Sequence, residues 1–291
     1  MTATDAYRPG RVLCLSPAGF HRMAYRHWGA GNRRGVVICV HGLTRNGSDF
    51  DLLAEALASA GWQVYCPDVV GRGASDWLAS AESYGYPQYL ADMAVLIGRC
   101  SADRLHWVGT SMGGLMGMML AADPKTPLAS LLLNDIGPLV PNAALRHIGT
   151  YVGKAPSFPD LAVAEAYLRE TYCAFGPLSD ALWRRVTKAS VQADGSGYGL
   201  NYDPQIAAAF RDIGDEDIDL WALWDRIALP TMTLRGALSE LLLPDTAAEM
   251  TRRGPKSELQ EVAGCGHAPW LMTADQIGLI LDWLDRQDHG G

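Results

Sequence analysis

The sequence predicts an α/β fold built on a mainly parallel sheet. Short apolar runs rich in β-forming residues alternate with segments of helical length, and this alternation is typical of parallel sheets flanked by helices. Hydrophobic residues make up 48% of the chain and charged residues 19%, so a large core is expected and long charged tails are not. At 291 residues, one large domain or two smaller ones are possible.

The first part of the chain provides the alternating segments in order. Residues 12–29 resemble an antiparallel hairpin that leads into the sheet. Strands are predicted at "GVVICVHG", "WQVYCPD" and "LHWVGT", and helices at "DLLAEALASAG" and "YLADMAVLIGRC". The first of these helices places Leu53 and Leu57 on one face and stops at Gly61. A loop interrupted by glycines, "VVGRGASDW", lies between the second strand run and the second helix.

The alternation is interrupted once, between Pro138 and Arg226. This region contains amphipathic helical stretches, "LAVAEAYLRETYCAF" and "SDALWRRVTKASV", and no convincing strand. Further strands are predicted on its two sides, at "LASLLLND", "PTMTLRG" and "KSELQEVAG", and a closing helix at "TADQIGLILDWLDRQ". We therefore expect a core domain formed by residues 1–137 and 227–291, with residues 138–226 as an all-helical cap.

Charge and composition narrow the classes of partner. The net charge is −8 and no cluster of Lys and Arg stands out, so a nucleic-acid surface is not expected. No apolar run approaches the ~18 residues of a membrane span, and the first residues lack the apolar region of a secretory signal. Six scattered cysteines without a CxxC pair indicate reduced thiols. The expectation is a cytoplasmic protein, monomer or homodimer, that acts on a small molecule and contacts neither membrane nor nucleic acid.

The strongest functional signal is Gly109-Thr110-Ser111-Met112-Gly113, between a predicted strand and a predicted helix. This G-x-S-x-G pattern is typical of a nucleophile elbow. A nucleophile on such a sharp turn leaves little room two residues to either side, so small residues suit those positions. The following helix directs its N-terminus at the site, where negative charge is favoured. Ser111 is therefore the candidate nucleophile.

Two further segments supply what a nucleophilic serine needs. Attack on a carbonyl creates an oxyanion, which requires preorganised N–H donors. The backbone N–H groups of Met112 and Leu43 are expected to provide them, because His41-Gly42-Leu43 follows an upstream strand. His41 itself is expected to shape this loop and to border the substrate pocket.

His267 is the candidate base. It lies in "GCGHAPW", in a glycine-containing loop after the last predicted strand, and histidine titrates in the range that proton transfer from serine requires. The order nucleophile, acid, histidine along the chain distinguishes His267 from the other six histidines. Cys265 and His267 without further ligands make a poor zinc site, so no metal is expected.

Two carboxylates compete for the third position, the acid that orients the imidazole. Glu240, in "LRGALSELLLP", follows the penultimate strand, and Asp135, in "LLLNDIGP", follows the strand before it. Either can reach His267 from the edge of the sheet. Glu240 is favoured because its loop leads directly towards the histidine loop, and Asp135 stays open as the alternative.

At this point the sequence resembles the α/β-hydrolase superfamily over essentially its whole length. The matching segments are "HGL" (41–43), D-x-x-G-x-G-x-S (68–75), "GTSMGG" and "GHAPW". It is similar to the group that contains esterases, meta-cleavage C–C hydrolases and cofactor-free haloperoxidases. The resemblance implies a mostly parallel eight-stranded sheet flanked by helices, a helical cap after strand 6, a Ser-His-acid triad and no cofactor.

Two departures from the family pattern bear on the reaction. Many relatives have Asp where Glu240 stands, which leaves the acid open. The "NDIGP" segment also resembles haloalkane and fluoroacetate dehalogenases, in which the acid follows the earlier strand. Those enzymes and epoxide hydrolases use an aspartate nucleophile, so Ser111 argues against both activities.

The expected reaction is hydrolysis of a small or medium carboxylic ester through an acyl-enzyme. A C–C hydrolase, a perhydrolase and a non-catalytic ligand receptor are the alternatives. Trp270 and Trp183 are candidate pocket residues, and Arg45 is either a pocket cation or a surface cation. Other aromatic residues of the insertion are expected in its core or in the pocket walls: Tyr151, Phe158, Tyr167, Tyr172, Phe175 and Tyr198.

Overall fold

The computed structural model describes residues 7–100, 103–195, 197–210 and 214–289. The first part of the chain folds in the predicted order. Its strands are β1 (Arg8–Ser16), β2 (Gly19–Trp28), β3 (Val36–Val40), β4 (Gln63–Pro67), β5 (Leu105–Thr110) and β6 (Leu128–Asn134). Its helices are α1 (Asp51–Ser59), α2 (Tyr86–Arg99) and α3 (Met112–Ala121). β1 and β2 pair antiparallel, which confirms the predicted hairpin.

The insertion contains short strands as well as helices, so the prediction of an all-helical cap is wrong. Its elements are β7 (Leu139–Val140), α4 (Asn142–Gly149), β8 (Ser157–Phe158), α5 (Leu161–Thr171), α6 (Asp180–Ser190), β9 (Val191–Asp194), β10 (Gly197–Leu200), β11 (Ile218–Asp219) and α7 (Trp221–Trp224). The strands form a three-stranded sheet, β8-β10-β9, and a two-stranded sheet, β11-β7. They are two to four residues long, too short for an alternating pattern to be read.

The chain then returns to the large sheet. β12 (Thr231–Gly236), α8 (Pro244–Met250), β13 (Glu258–Val262) and α9 (Ala274–His289) complete it. The strand order is β1-β2-β4-β3-β5-β6-β12-β13, antiparallel from β1 to β4 and parallel from β4 to β13. This confirms the mostly parallel eight-stranded sheet and an insertion after its sixth strand. That residues 138–226 form a separate domain stays a prediction.

Both faces of the sheet are covered. All five residues of β3 are buried, as expected for a central parallel strand. Ile38 enters one core cluster, whereas Val37 and Cys39 enter the cluster on the opposite face. Since the parallel strands share one direction, the loops after β3, β5, β6, β12 and β13 meet at one edge of the sheet. Ligand sites of open α/β sheets form at this edge.

Two smaller observations complete the description. Among the described helices, none has both the length and the apolar character needed to cross a lipid bilayer. All six cysteines are free thiols, and only Cys173 is exposed.

Candidate active site

Ser111 occupies a strained turn between β5 and α3. Its backbone has φ 51° and ψ −114°, a combination that non-glycine residues rarely adopt. Such strain persists only where the surrounding structure enforces it, and it is concentrated at functional sites. The turn leaves the hydroxyl of Ser111 at the carboxyl edge of the sheet.

The glycines of the motif are required by contact distances. A Cβ atom on Gly113 would lie 2.1 Å from the carbonyl oxygen of Val40 in the neighbouring strand. A Cβ atom on Gly109 would lie 2.4 Å from the carbonyl oxygen of Gly113. Real side chains do not tolerate either distance, so the turn closes only with hydrogen at both positions. The G-x-S-x-G spacing is therefore a steric requirement of this bend.

His267 lies between Ser111 and a buried carboxylate. Its Nε2 is 2.8 Å from the Oγ of Ser111, and its Nδ1 is 2.7 Å from the Oδ2 of Asp135. The imidazole is 16% exposed and the carboxylate is fully buried. When Nδ1–H donates to the carboxylate, Nε2 is free to accept the serine proton. This is the geometry in which a serine hydroxyl becomes nucleophilic.

Asp135 is held by donors from the loop after β12. The backbone N–H of Gly236 donates to its Oδ1 at 2.7 Å, and the hydroxyl of Ser239 donates to its Oδ2 at 2.5 Å. The backbone N–H of Asp135 donates to the carbonyl of Leu234 at 2.8 Å. These hydrogen bonds fix the orientation of the carboxylate that contacts His267.

The preference for Glu240 as the partner of His267 is corrected by this geometry. Glu240 is exposed, whereas Ser239 beside it is buried and turns towards Asp135. The loop after β12 does approach the histidine, but the groups that it directs inward are hydrogen-bond donors to Asp135. Sequence position identified the loop correctly and could not reveal which of two adjacent side chains turns inward.

His41 holds the loop that carries Leu43. It is fully buried, its Nδ1 donates to the carbonyl of Gly42 at 2.7 Å, and its Nε2 accepts from the N–H of Val69 at 2.9 Å. Burial lowers the pKa of His41 to about 3, so the ring is neutral and can accept at Nε2. These contacts agree with the loop-shaping role expected for His41.

Arg72 is a functional candidate that sequence reasoning missed. Its guanidinium is fully buried, and Nε donates to the carbonyl of Leu43 at 2.9 Å. Nη1 donates to the hydroxyl of Tyr89 at 3.0 Å, and Nη2 lies 3.7 Å from the sulfur of Met112. Arg72 thus contacts both residues expected to provide the oxyanion N–H donors. The sequence feature that could have identified Arg72 is its position inside the D-x-x-G-x-G-x-S segment.

Two cavities meet at Ser111. The smaller, about 50 Å³, is bordered by the loop of His41 and Leu43, by Arg45, and by His267 and Trp270. The larger, about 470 Å³, is lined mainly by aliphatic and aromatic side chains of α2, α3 and the insertion. Ser111 and Leu43 border both cavities. The arrangement places an apolar binding space directly against the serine hydroxyl.

Some of the predicted pocket residues border a cavity and others do not. His41 and Trp270 border the smaller cavity, as do Tyr151 and Phe175. The prediction for Trp183 is wrong, because Trp183 is buried in a cluster formed mostly by the insertion and packs edge-on against Trp270 with 5.6 Å between ring centres. It is not among the described residues that line either cavity. The same cluster takes in the remaining aromatic candidates, Phe158, Tyr167, Tyr172 and Tyr198.

Arg45 is a buried residue and not a surface cation. Its guanidinium donates to both carboxylate oxygens of Asp49, at 2.9 and 2.6 Å, and to the hydroxyl of Ser190 at 2.5 Å. Arg45 therefore borders the smaller cavity as half of an ion pair with Asp49, and its hydrogen bond to Ser190 links the loop after β3 to α6.

Metal-ligand side chains outside the site come together at one place in the described residues. Donor atoms of Cys14, His21 and Asp92 lie within 4.8 Å of one another. Both carboxylate oxygens of Asp92 are engaged, one by His21 at 3.0 Å and the other by the amide of Gln88 at 2.7 Å. The cluster forms a buried hydrogen-bond network that joins the β1–β2 hairpin to α2.

Comparisons with known proteins agree with the fold. A family model described as "Alpha/beta hydrolase family" matches residues 37–277. The 3-hydroxybutyrate-oligomer hydrolase of Cupriavidus necator is 44% identical over 281 residues, covering 94% of this chain and 96% of the relative. The N-formylmaleamate deformylase of Pseudomonas putida is 25% identical over 276 residues, 94% of this chain and 96% of the relative.

A solved structure extends the agreement to three dimensions. The crystal structure of an alpha/beta hydrolase from Novosphingobium aromaticivorans is 35% identical, with a TM-score of 0.85 over 97% of this chain and 99% of that one. Sequence and fold therefore match over nearly the whole length. The chain belongs to the α/β-hydrolase family, and it is a hydrolase.

Proposed function

We propose that the protein is a serine esterase in which Ser111 is the nucleophile, His267 the general base and Asp135 the acid. The observation that carries this proposal is the continuous hydrogen-bonded chain from Asp135 Oδ2 through His267 to Ser111 Oγ, with distances of 2.7 and 2.8 Å. The strained backbone of Ser111 and its position between two cavities support the same roles.

The reaction proceeds in two steps. In the first, the Ser111 proton moves to His267 Nε2 while Oγ bonds to the ester carbonyl carbon. The bond from that carbon to the alkoxy oxygen then breaks, and the alkoxy oxygen takes the proton from Nε2 and leaves as an alcohol. In the second, a water molecule gives a proton to Nε2 and its oxygen attacks the acyl carbon. The Ser111–acyl bond breaks, Oγ regains the proton, and the carboxylic acid is released.

Two backbone N–H groups stabilise the oxyanion that forms in each step. The Met112 N–H is the first of α3 and has no acceptor within the helix. The Leu43 N–H belongs to the loop held by His41 and Arg72. Leu43 and Met112 both border the larger cavity beside Ser111. Donors fixed before the charge develops need no reorganisation during the reaction, and this makes them effective.

The proposed substrate class is based on the Cupriavidus relative. The Cupriavidus protein, 44% identical along almost the full length of both chains, is named for the hydrolysis of 3-hydroxybutyrate oligomers. We extend that class to this chain: short linear esters of hydroxyalkanoic acids. A cavity of about 470 Å³ with mainly apolar walls is suited to several carbon atoms of such an acyl group.

The test combines labelling with turnover. A fluorophosphonate probe is expected to label wild-type protein and the variant Ser59→Ala, which removes an exposed serine on α1. Ser111→Ala is expected to lose labelling, and also to lose turnover of p-nitrophenyl butyrate and of a 3-hydroxybutyrate dimer, while its circular dichroism is retained. Labelling or turnover retained in a folded Ser111→Ala protein contradicts the proposal.

A further inference from the structure

The two cavities beside Ser111 differ in size and in the side chains that border them. Ser111, Leu43 and Ile148 border both. In the described part of the chain, His267 borders only the smaller cavity, of about 50 Å³, whereas Met112 borders only the larger, of about 470 Å³. A substrate centred on Ser111 must therefore direct its two halves into unequal spaces.

The proton transfers of ester cleavage decide which half enters which cavity. The leaving oxygen takes its proton from His267 Nε2, so it has to lie within hydrogen-bond reach of this ring. The alcohol half of the ester consequently occupies the cavity that His267 borders. The carbonyl oxygen points to the Leu43 and Met112 N–H groups, and the acyl chain then extends away from the histidine.

We propose, on the basis of the esterase function above, that the larger cavity is the acyl site and the smaller cavity the leaving-group site. Among esters of equal size, the enzyme is therefore selective for those that carry the longer chain on the acyl side. Each CH₂ group buried in an apolar site adds about fourfold to binding. The larger cavity provides that gain to the acyl chain, and the smaller one has little room to provide it to the alcohol.

Helix α3 forms one wall of the acyl site. Leu115 and Met119 are one helical turn apart and lie on the same face, and both border the larger cavity. They are partly exposed, whereas Met116 and Met118 on other faces of α3 are fully buried in the core. The same helix that begins beside Ser111 thus lines the path of the acyl chain.

The insertion closes the other side of this acyl site. Leu145 of α4 and Val140 of β7 border it, and exposed residues Glu216 and Ile218 border its rim. Most of the lining side chains are apolar, and the exposed Glu216 places a polar side chain at the rim. An acyl chain with a mainly apolar body fits this lining.

Two isomeric esters test the assignment directly. Ethyl hexanoate and hexyl acetate have the same composition, C₈H₁₆O₂, and differ only in the side of the ester bond that carries the long chain. Wild-type kcat/KM is expected to be about tenfold or more higher for ethyl hexanoate. Equal values, or a preference for hexyl acetate, overturn the assignment and leave the esterase function intact. If neither ester is hydrolysed and Ser111 is not labelled, the esterase function itself fails.

A pair of variants locates the effect in the larger cavity. Met119→Phe adds volume to its wall and is expected to reduce the preference for ethyl hexanoate about fivefold or more. Val95→Phe, on the exposed side of α2, is the matched control and is expected to keep the wild-type preference. A folded Met119→Phe protein with an unchanged ratio contradicts the acyl-site assignment. If that variant does not fold, the comparison of isomers with the wild-type enzyme decides.

Discussion

The hydroxyl of Ser239 donates a hydrogen bond of 2.5 Å to Asp135 Oδ2, although 104 residues separate the two in sequence. The Ser239 oxygen also accepts from the N–H groups of Leu241 and Leu242, at 3.2 and 3.1 Å. The loop after β12 is thus organised around the buried carboxylate that meets His267. Among the described hydrogen bonds, those of the His267 ring are to Asp135 and Ser111, whereas Glu240, the neighbour of Ser239, is exposed.

Exchanging each acidic side chain for its amide separates the two carboxylates. Asp135→Asn is expected to lower kcat about 10³-fold or more, because the amide cannot hold His267 in the tautomer that accepts the serine proton. Glu240→Gln is expected to keep kcat within about twofold, since the side chain is exposed. Steady-state hydrolysis of p-nitrophenyl butyrate by both variants provides the measurement. The reverse ranking would restore Glu240 as the acid.

The elbow glycines give a stability prediction. In Gly113→Ala the new Cβ would lie 2.1 Å from the Val40 carbonyl oxygen, so we expect about 3 kcal/mol or more loss in the free energy of unfolding. Gly98→Ala on α2 is the control, because a Cβ there meets nothing within 4 Å. That control is expected to gain about 0.5–1 kcal/mol. Urea unfolding measures both, and similar stabilities for the two variants would refute the steric account.

Arg72 is expected to matter for turnover although it does not border the reacting atoms. Arg72→Met removes the donors to the Leu43 carbonyl and the Tyr89 hydroxyl, so the oxyanion loop loses its support. We expect kcat to fall about tenfold or more with a smaller change in KM, since the oxyanion forms only after substrate binding.

Arg72→Lys separates charge from geometry at the same position. Lysine retains the charge but lacks the planar fork that reaches several acceptors at once, so only partial recovery of kcat is expected. Circular dichroism and urea unfolding establish that each variant is folded. Wild-type kcat in a folded Arg72→Met protein would show that the guanidinium serves stability alone.

His41 makes stability depend on pH. Its pKa is about 3 in the folded protein because of burial, and about 6.5 when unfolded. Between these values the unfolded chain binds a proton that the folded chain does not. The contribution of the neutral His41 ring to the free energy of unfolding is therefore complete above pH 6.5. It is lost as the pH falls towards 3, with a slope of up to about 1.4 kcal/mol per pH unit.

Unfolding free energies between pH 6.5 and 4.5 check this slope. His41→Gln is expected to be less stable than wild type at pH 7.5, because the contacts to Gly42 and Val69 are disturbed, yet to depend less on pH. His147→Gln, at an exposed histidine, controls for the loss of one titratable side chain. Identical slopes for wild type and His41→Gln would contradict a neutral buried ring.

Much of the fold could be predicted from local pattern. The large-sheet strands and the helices α1, α2, α3 and α9 were anticipated because each shows a period or a continuous apolar run, whereas the short helix α8 was not predicted. The strands of the insertion were missed because two to four residues cannot show a period, and their pairing depends on partners distant in the chain. Trp183 was misplaced for a related reason, since a buried aromatic residue looks the same in sequence whether it lines a cavity or fills a core.

The sequence by itself determined the bend at Ser111 and the loop of His267, because the steric demands of a tight turn act on neighbouring residues. Only the tertiary structure decided that Asp135 meets His267, that Arg72 holds Leu43, and that two unequal cavities meet at the serine. Those relationships depend on which way a side chain turns once distant strands are packed side by side. Spacing along the chain carries no information about that direction.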